Sequence, residues 1–373
     1  SAFKPFVYAA ALDSGYRPDT IVLDAPIAIQ DGRKMWRPKN SSGNFAGPLP
    51  LRQGLELSKN LMTVRIAQAV GMDRVAEYAE RFGVYENMPL HFAYALGAGE
   101  TTLYQMVAAY GMFANGGKRV EPTLIDRVQD RYGETLYNHD PRFCQGCEVE
   151  TFRPGHSPVL FDARSQIMDP DTAWNLVTMM RGVVDHGTAS SSVGGLGFPV
   201  AGKTGTTNDS KDVWFVGFTR NLVAGCYIGF DNPRSLGRRA FGATLCAPVF
   251  REFMAEAMED REPGEFTPPR KGQMVTMKFD KRTGERVDDD AEGPYIVAES
   301  YSLGVEPEIL VEDRYALADD AILFGGYGAD LPYILPEGED VPLGHSGSDD
   351  WEGDGGSTVS RPPSIGLGTG GVY

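Results

Sequence analysis

The sequence predicts an α+β fold, and three observations support this class. Apolar residues recur at helical spacing in several segments of residues 1–262. Three strand-like runs follow one another closely, over 198–204, 213–219 and 222–230. Residues 291–373 carry neither pattern and have the acidic, low-complexity composition that is typical of a disordered tail.

The helices are predicted from buried faces and end signals. Phe3, Phe6, Val7 and Ala10 follow the i, i+3, i+4, i+7 spacing of a helix, and Gly15 is a suitable end. The other helices predicted in this way are one that follows Ser58, one over 101–115 with Thr101 or Thr102 as its cap, one over 170–184 with Asp169 as its cap, and one over 248–258 with Val249, Phe253 and Met254 facing the core.

The strands are predicted from apolar runs and turn residues. The runs 213–219 and 222–230 are nearly all apolar, as expected of strands that are covered on both faces. A hairpin is predicted where 124–128 and 135–137 flank a Tyr-Gly-Glu turn. This hairpin falls within a predicted insert at about 118–165.

Charge separates the body of the chain from its tail. From Glu285 onward the chain has 20 acidic and three basic residues, whereas the remainder has 31 acidic and 32 basic residues. We therefore expect a main domain over 1–262, a linker over 263–290 with a hairpin at 274–287, and a solvated tail over 291–373. The nearly neutral body offers no phosphate-binding surface, which argues against nucleic acid as a partner.

Three short motifs occur in one order along the chain. They are Ser1-Ala2-Phe3-Lys4, Ser58-Lys59-Asn60 and Lys203-Thr204-Gly205-Thr206. Together they contain the parts of a serine acyl-transferase whose base is a lysine: a nucleophile, groups that take and pass its proton, and donors for an oxyanion. Each motif alone is common and has a structural explanation, so the prediction depends on their ordered combination.

The first motif predicts a nucleophile and its base. At i and i+3, Ser1 and Lys4 meet on one face of a helix start. The ordinary pKa of lysine, about 10.4, is too high for a base at neutral pH, but burial and a nearby Lys203 would lower it. The free N–H groups of a helix start also favour an oxyanion. The structural alternative is a capping serine and a surface lysine.

The second motif predicts a proton relay. Ser58 would pass a proton between Lys4 and the leaving nitrogen, while Asn60 holds a substrate amide. The structural alternative is a plain N-terminal cap before the helix that follows.

The third motif predicts a substrate-binding strand. Glycine inside a strand often marks the close approach of another backbone, here an extended peptide added as a further strand. The N–H of Thr206 would form an oxyanion hole with that of Ser1. The hydroxyls of Thr204 and Thr206, with the Lys203 ammonium, would hold a substrate carboxylate, beside Gly205. A phosphate loop is excluded because its Gly-x-x-x-x-Gly-Lys spacing is missing here.

Five further residues are predicted on weaker grounds. Trp36 and Asn40 would line the mouth of the cleft, with loop packing as the alternative, and Thr207 would extend the carboxylate site. Cys144 and Cys147 stand in a polar loop and are predicted to form a local disulfide. Free thiols and zinc are the alternatives, although zinc would need two more ligands nearby. No metal or cofactor is expected in the site.

The residues around the motifs make the pattern more specific. The segments SAFKPFVYAAA (1–11), LGAGETT (96–102) and GKTGTTND (202–209) closely resemble the transpeptidase domain of class A, bifunctional penicillin-binding proteins of the 1A type. The resemblance runs to about residue 258. It implies the fold shared with serine β-lactamases, in which a mixed, mostly antiparallel sheet is packed between helices.

The resemblance also implies an activity and a location. Ser1 would attack the D-alanyl-D-alanine bond of a peptidoglycan stem peptide, and the acyl group would pass to an amine on a neighbouring stem. Penicillins would acylate the same serine, and other cell-wall synthesis proteins are possible partners. The family works at the periplasmic face of the inner membrane, with an anchor, a glycosyltransferase domain and the start of the transpeptidase sheet upstream of the nucleophile.

Two hydrolases are the main alternatives. A serine β-lactamase would share Ser1, Lys4 and Lys203 and needs a base for the deacylating water, for which Glu100 is the obvious candidate. However, Lys59 stands where the main hydrolase group has Asp or Asn. A D,D-carboxypeptidase does not account for the insert and the tail. A β-lactam sensor would need a coupling segment, and an inactive scaffold has no reason to retain the serine and both lysines.

Overall fold

The computed structural model describes residues 1–31, 34–145, 147, 151, 159–269 and 274–303. Its α-helices are α1 (Lys4–Asp13), α2 (Leu51–Glu56), α3 (Asn60–Val70), α4 (Met72–Arg81), α5 (Phe92–Ala95), α6 (Leu103–Ala114), α7 (Pro170–Asp185), α8 (Ser190–Val193) and α9 (Cys246–Ala257). No helix in these ranges is long and apolar enough to cross a membrane.

The strands form several small antiparallel sheets. They are β1 (Ile21–Asp24), β2 (Ile29–Asp31), β3 (Lys34–Trp36), β4 (Gly47–Pro50), β5 (Arg127–Gln129), β6 (Thr135–Asn138), β7 (Phe143–Gln145), β8 (Val159–Phe161), β9 (Ala201–Thr206), β10 (Asp212–Phe218), β11 (Val223–Gly229), β12 (Met274–Asp280) and β13 (Ile296–Ser302). The largest has the order β11-β10-β9, and the others are the pairs β1-β4, β2-β3, β5-β6, β7-β8 and β12-β13.

The three-stranded sheet lies between two layers of helices. Because side chains alternate along a strand, β10 sends Val213 and Phe215 to one face, where they pack with α8 and α9. It sends Val216 and Phe218 to the other face, into the main core built around α1. The predicted α+β class is therefore confirmed, and each strand pair in the described ranges is antiparallel.

Helix α1 runs through the middle of the main core. Every side chain from Lys4 to Leu12 is buried. The ring of Phe6 lies 5.7 Å from that of Phe82 and 5.1 Å from that of Phe113, measured between centroids. Gly15, with φ of 94°, follows the end of the helix. The apolar residues around Lys4 thus carry an ammonium group into the protein interior.

The end signals in the sequence predicted two helices well. Thr102 caps α6, where its hydroxyl accepts the N–H of Gln105 at 3.1 Å and the Gln105 side chain accepts the N–H of Thr102. Asp169 caps α7, where its carboxylate accepts the N–H of Asp171 at 2.8 Å. Both predictions are confirmed.

The predicted inward face of α9 is wrong in two of its three residues. Val249 and Phe253 are each 51% exposed, whereas Phe250 and Met254 are buried. The helix contacts β10 and β11 through residues spaced by four, beginning at Cys246, and this face is rotated from the predicted one. Strand β11 is also less covered than expected, because it is an edge strand of the described sheet and most of it is half-buried.

The C-terminal hairpin pairs differently from the prediction. Strand β12 pairs with β13, from Met274 opposite Ser302 to Asp280 opposite Ile296, and within 274–287 there is only an isolated bridge. Strand β13 lies inside the segment predicted as a tail. The structure therefore extends the ordered chain beyond residue 291, and residues 304–373 of the predicted tail lie outside the described residues.

The insert contains two β-ribbons on the surface. Strands β5 and β6 form the predicted hairpin, and β7 pairs with β8. The structure joins Cys144 and Cys147 by a disulfide at the end of β7. Cys226 and Cys246 are free thiols. Within the described ranges, no group of three or more His, Cys, Asp or Glu side chains is placed to hold a metal ion.

Candidate active site

The three motifs meet at the side chain of Ser58. Its Oγ accepts a hydrogen bond from Lys4 Nζ at 3.2 Å and another from Lys203 Nζ at 2.9 Å. Lys4 Nζ also donates to Asn60 Oδ1 at 2.6 Å and to the Ser58 carbonyl at 2.8 Å. A single hydroxyl therefore contacts both lysine side chains, although Lys4 lies 54 positions and Lys203 lies 145 positions from Ser58 along the chain.

Ser1 occupies a half-buried turn that leads into α1. The N–H of Lys4 donates to the Ser1 carbonyl at 3.2 Å, and Ser1 N donates to the Leu96 carbonyl at 3.0 Å. Within the described residues, no hydrogen bond joins Ser1 Oγ to Lys4 Nζ, because Lys4 Nζ is bonded to the second motif. Such bonds often tighten only when substrate is bound.

Glycines bring two other segments close to this turn. A Cβ added at Gly205 would lie 3.3 Å from Ala2 N, and one added at Gly97 would lie 3.3 Å from Ser1 N. The glycine in the third motif thus marks the approach of β9 to the backbone of the first motif. The sequence predicted a close approach here, but to a bound peptide.

Strand β9 leaves one edge open toward Ser1. Thr207 N donates to the Asp212 carbonyl of the neighbouring segment at 3.0 Å, and Gly205 lies opposite Trp214 in the same ladder. Because hydrogen-bonding direction alternates along an antiparallel pair, the N–H and C=O of Thr206 point away from β10. The open edge therefore presents the N–H of Thr206 as a donor beside the turn of Ser1.

A cleft of about 690 Å³ extends from Ser1 along this edge. Gly205, Thr206 and Thr207 line it, as predicted for substrate-binding residues. Thr204 is buried instead, and its Oγ1 lies 2.9 Å from Thr188 Oγ1. The cleft is also lined by Glu100 and by four aromatic residues that the sequence did not single out, namely Tyr85, Trp214, Tyr227 and Phe230.

The hydroxyl of Thr206 is held by a residue that sequence reasoning missed. Gly242 N donates to Thr206 Oγ1 at 3.0 Å. A Cβ at position 242 would lie 2.5 Å from the Gly205 carbonyl oxygen, so only glycine fits without a shift. Since the Oγ1 accepts this bond, its own proton remains available to a group in the cleft. An isolated glycine in a loop gave no signal of this role.

Asn60 is held in place by Asn40 and a buried carboxylate. Asn40 Oδ1 accepts the N–H of Asn60 at 2.9 Å, and Asn40 Nδ2 donates to Asp24 Oδ1 at 2.6 Å. Lys59, the middle residue of the second motif, turns away from the lysines to form an ion pair with Asp24 at 2.9 Å. Asp24 was not predicted, because a single acidic residue in a short strand has no distinguishing pattern.

The two residues predicted at the cleft mouth lie elsewhere. Asn40 is buried behind the second motif, where it caps α3. Trp36 is half-buried and packs against the cluster of Ile27, Ile29, Leu61, Val64 and Leu96. The cleft that begins at Ser1 is lined by other residues. Trp36 therefore has a packing role, and Asn40 caps a helix.

Burial makes both lysines unusually acidic. Burial and then the positive charge of Lys203 hold the pKa of Lys4 well below its ordinary value, while Asp24 acts in the opposite sense. Burial lowers the pKa of Lys203 to about 7. A neutral amine is therefore available near neutral pH. A serine in the same motif as such an amine is the combination that a nucleophile with a lysine base requires.

Comparison with known proteins agrees with this geometry. The family model of the penicillin binding protein transpeptidase domain matches residues 1–255. The chain therefore belongs to the penicillin-binding protein transpeptidase domain family.

Named relatives point to one branch of that family. Penicillin-binding protein 1A of Rickettsia bellii is 43% identical over 289 residues, which are 76% of this chain and 36% of that protein. Penicillin-binding protein 1A of Pseudomonas aeruginosa is 34% identical over 334 residues, which are 79% of this chain and 40% of that protein. The chain thus spans little more than a third of the length of these relatives.

Solved structures show the same fold. The crystal structure of penicillin-binding protein 1A from Haemophilus influenzae matches with a TM-score of 0.69 and 32% identity, over 83% of this chain and 48% of that one. PonA1 of Mycobacterium tuberculosis, solved in complex with penicillin V, matches with a TM-score of 0.58 and 21% identity, over 72% of this chain and 71% of that one. The latter likeness concerns the fold alone.

The capping contacts of Asn40 predict a loss of stability when they are removed. In Asn40→Ala, the N–H of Asn60 and the carboxylate of Asp24 each lose a buried partner, which should cost about 1–3 kcal/mol in the free energy of unfolding. Urea denaturation measures this loss. Asn44→Ala is the matched control, since Asn44 is exposed. An unchanged stability in Asn40→Ala, with weaker substrate binding, would contradict the capping role.

Proposed function

We propose that this chain is a peptidoglycan D,D-transpeptidase that forms peptide cross-links through an acyl-enzyme on Ser1. The observation that carries the proposal is the hydroxyl of Ser58 between two buried lysines, beside a serine at the head of a cleft. Membership of the transpeptidase family supports the same reaction. The names of the relatives support a bifunctional enzyme of the 1A type.

In the first step, the neutral amine of Lys4 takes the proton of Ser1 Oγ. The oxygen attacks the carbonyl carbon of the penultimate D-alanine, and the carbonyl oxygen becomes an oxyanion. Thr206 N–H, on the open edge of β9, is the donor that the geometry favours for it. The sequence predicts Ser1 N as the second donor, and this nitrogen also donates to the Leu96 carbonyl at 3.0 Å.

In the second step, a proton must reach the leaving nitrogen. Ser58 Oγ touches both ammonium groups, so it can donate its proton to the leaving amine and regain one from Lys4. The C–N bond then breaks and D-alanine departs. The amine of a second stem peptide attacks the ester, and the same groups carry its proton back as Ser1 is released.

The terminal carboxylate of the donor peptide has a matching site on β9. The hydroxyl of Thr206 has its proton free for the cleft, and Thr207 lies next along the same wall. Lys203 adds a positive charge whenever it is protonated. Thr204 contributes indirectly, because its hydroxyl is engaged with Thr188.

Hydrolysis is the second candidate, since Glu100 lines the same cleft as Ser1 and would be the base for a water. We favour transfer because both the family and the named relatives are penicillin-binding proteins. In this proposal, the partners are donor and acceptor stem peptides, with β-lactams as covalent inhibitors and other cell-wall synthesis proteins as neighbours. The domain would act at the periplasmic face of the bacterial inner membrane.

The test of the nucleophile is an acylation experiment on the full-length protein. We expect benzylpenicillin to add one adduct mass, mapped to the peptide that contains Ser1 and stable for many minutes. Ser1→Ala should give no adduct, while the exposed control Ser42→Ala should react like the parent. Rapid loss of the adduct would favour a hydrolase. No adduct on a folded protein would contradict the proposal.

If Lys4 is the base, the rate of acylation should rise with pH. Acylation needs neutral Lys4, so its rate should fall as the pH drops through the Lys4 pKa, at a pH well below 10. Lys203→Met removes the charge that lowers this pKa and should move the rise to higher pH, whereas Asp24→Asn should move it to lower pH. Acylation rates measured from pH 5.5 to 10 give the three midpoints. Midpoints that do not move, or that move the other way, would exclude Lys4 as the base.

A further inference from the structure

The position of Ser58 is set by the last turn of α2. Ser58 has φ of 55°, a left-handed conformation that is uncommon for a residue other than glycine. Ser58 N donates to the Leu55 carbonyl at 3.2 Å, and Lys59 N donates to the Gly54 carbonyl at 2.8 Å. Any shift of α2 is therefore passed directly to the hydroxyl that bridges the two lysines.

Helix α2 is tied to the C-terminal strand by a buried ion cluster. The guanidinium of Arg52 binds Glu299 of β13 with two N–H groups, including Nη2 to Oε2 at 2.8 Å. Its Nη1 donates to Glu56 Oε1 at 2.7 Å. All three side chains are buried, with exposures of 4%, 1% and 0%. Because they are desolvated, losing Glu299 leaves two buried N–H groups of Arg52 without their acceptor.

The same helix is tied to the substrate strand. Glu56 Oε2 accepts from Gln53 Nε2 at 2.7 Å and lies 2.8 Å from His186 Nε2. The Glu56 carbonyl accepts the N–H of Thr188 at 3.1 Å, and the Thr188 hydroxyl contacts Thr204 on β9. Helix α2 thus connects β13 on one side with the third motif on the other.

Strand β13 has its own anchors to the body of the domain. Tyr301 Oη donates to Asp19 Oδ1 at 2.9 Å, and Ser302 Oγ donates to Asp171 at the start of α7. These two contacts therefore hold β13, and with it Glu299, against the body of the domain. Strand β13 lies beyond residue 255, where the match to the transpeptidase family model ends.

We propose that Glu299 is a positioning residue for Ser58, acting through Arg52 and α2. The C-terminal hairpin then belongs to the catalytic apparatus, although it lies outside the family match. The physical reason is the narrow tolerance of the bridge: Ser58 Oγ is 3.2 Å from one ammonium and 2.9 Å from the other, and a small shift breaks one contact. This inference rests on the proposed role of Ser58 in acylation.

The test is a double-mutant cycle on the full-length protein, with the rate constant of acylation by benzylpenicillin as the readout. Glu299→Gln keeps the shape of the side chain and removes its charge. We expect acylation to slow about tenfold or more at a temperature well below unfolding, since misplacement of a catalytic group is costly. In a Ser58→Ala background the same change should alter the rate by less than about twofold, because the residue through which it acts is gone.

The control is Glu285→Gln, which removes a carboxylate from the exposed part of the same hairpin and should leave the rate unchanged. If Glu299→Gln fails to fold, the triple change Arg52→Met, Glu56→Gln and Glu299→Met removes all three buried charges together and should fold while remaining slow. An equal penalty in both Ser58 backgrounds would mean a structural role and would overturn the inference alone. A Ser58→Ala variant that acylates at the parent rate would overturn the proposed function of Ser58 as well.

Discussion

The structure depends on keeping two lysine side chains together in one buried site. Lys4 and Lys203 are both fully buried, and an ammonium that loses its water must find other partners. Ser58 Oγ serves both, and Asn60 Oδ1 and two backbone carbonyls supply the remaining acceptors. Burial lowers the pKa of both lysines, and the charge of Lys203 lowers that of Lys4 further, so that a neutral amine is available as a base.

The rest of the fold serves this requirement. The apolar helix α1 carries Lys4 inward, and the glycines of the third motif let β9 approach the turn of Ser1. Asp24, whose negative charge acts on Lys4, is kept behind the second motif, where Lys59 and Asn40 bind it. If Asp24 paired directly with Lys4, it would hold that amine protonated. The middle lysine of the second motif therefore has a structural role at some distance from the cleft.

Many of the helices and the three motifs could be predicted from the sequence. The features that were missed have physical reasons that can be named. Capping residues such as Thr102 and Asp169 act locally, so the helices that they begin were found. The three motifs were recognised because they are defined by residue types and by their order along the chain, which the sequence shows directly. Glu299 and Gly242 act on residues 247 and 36 positions away, and no local pattern reports such contacts. Strand β13 was missed because its sequence, IVAESYS, has no regular apolar alternation and lies within a strongly acidic stretch.

The proposed chemistry requires that one of the two buried lysines be a neutral amine near neutral pH. Carbon-13 NMR of lysine labelled at Cε, followed between pH 5 and 11, measures this directly, with Lys4→Met and Lys203→Met used to assign the signals. We expect the signals of these two residues to titrate well below the ordinary lysine pKa of about 10.4. If both instead titrate with the surface lysines, the site holds two ordinary ammonium groups and neither lysine can be the base.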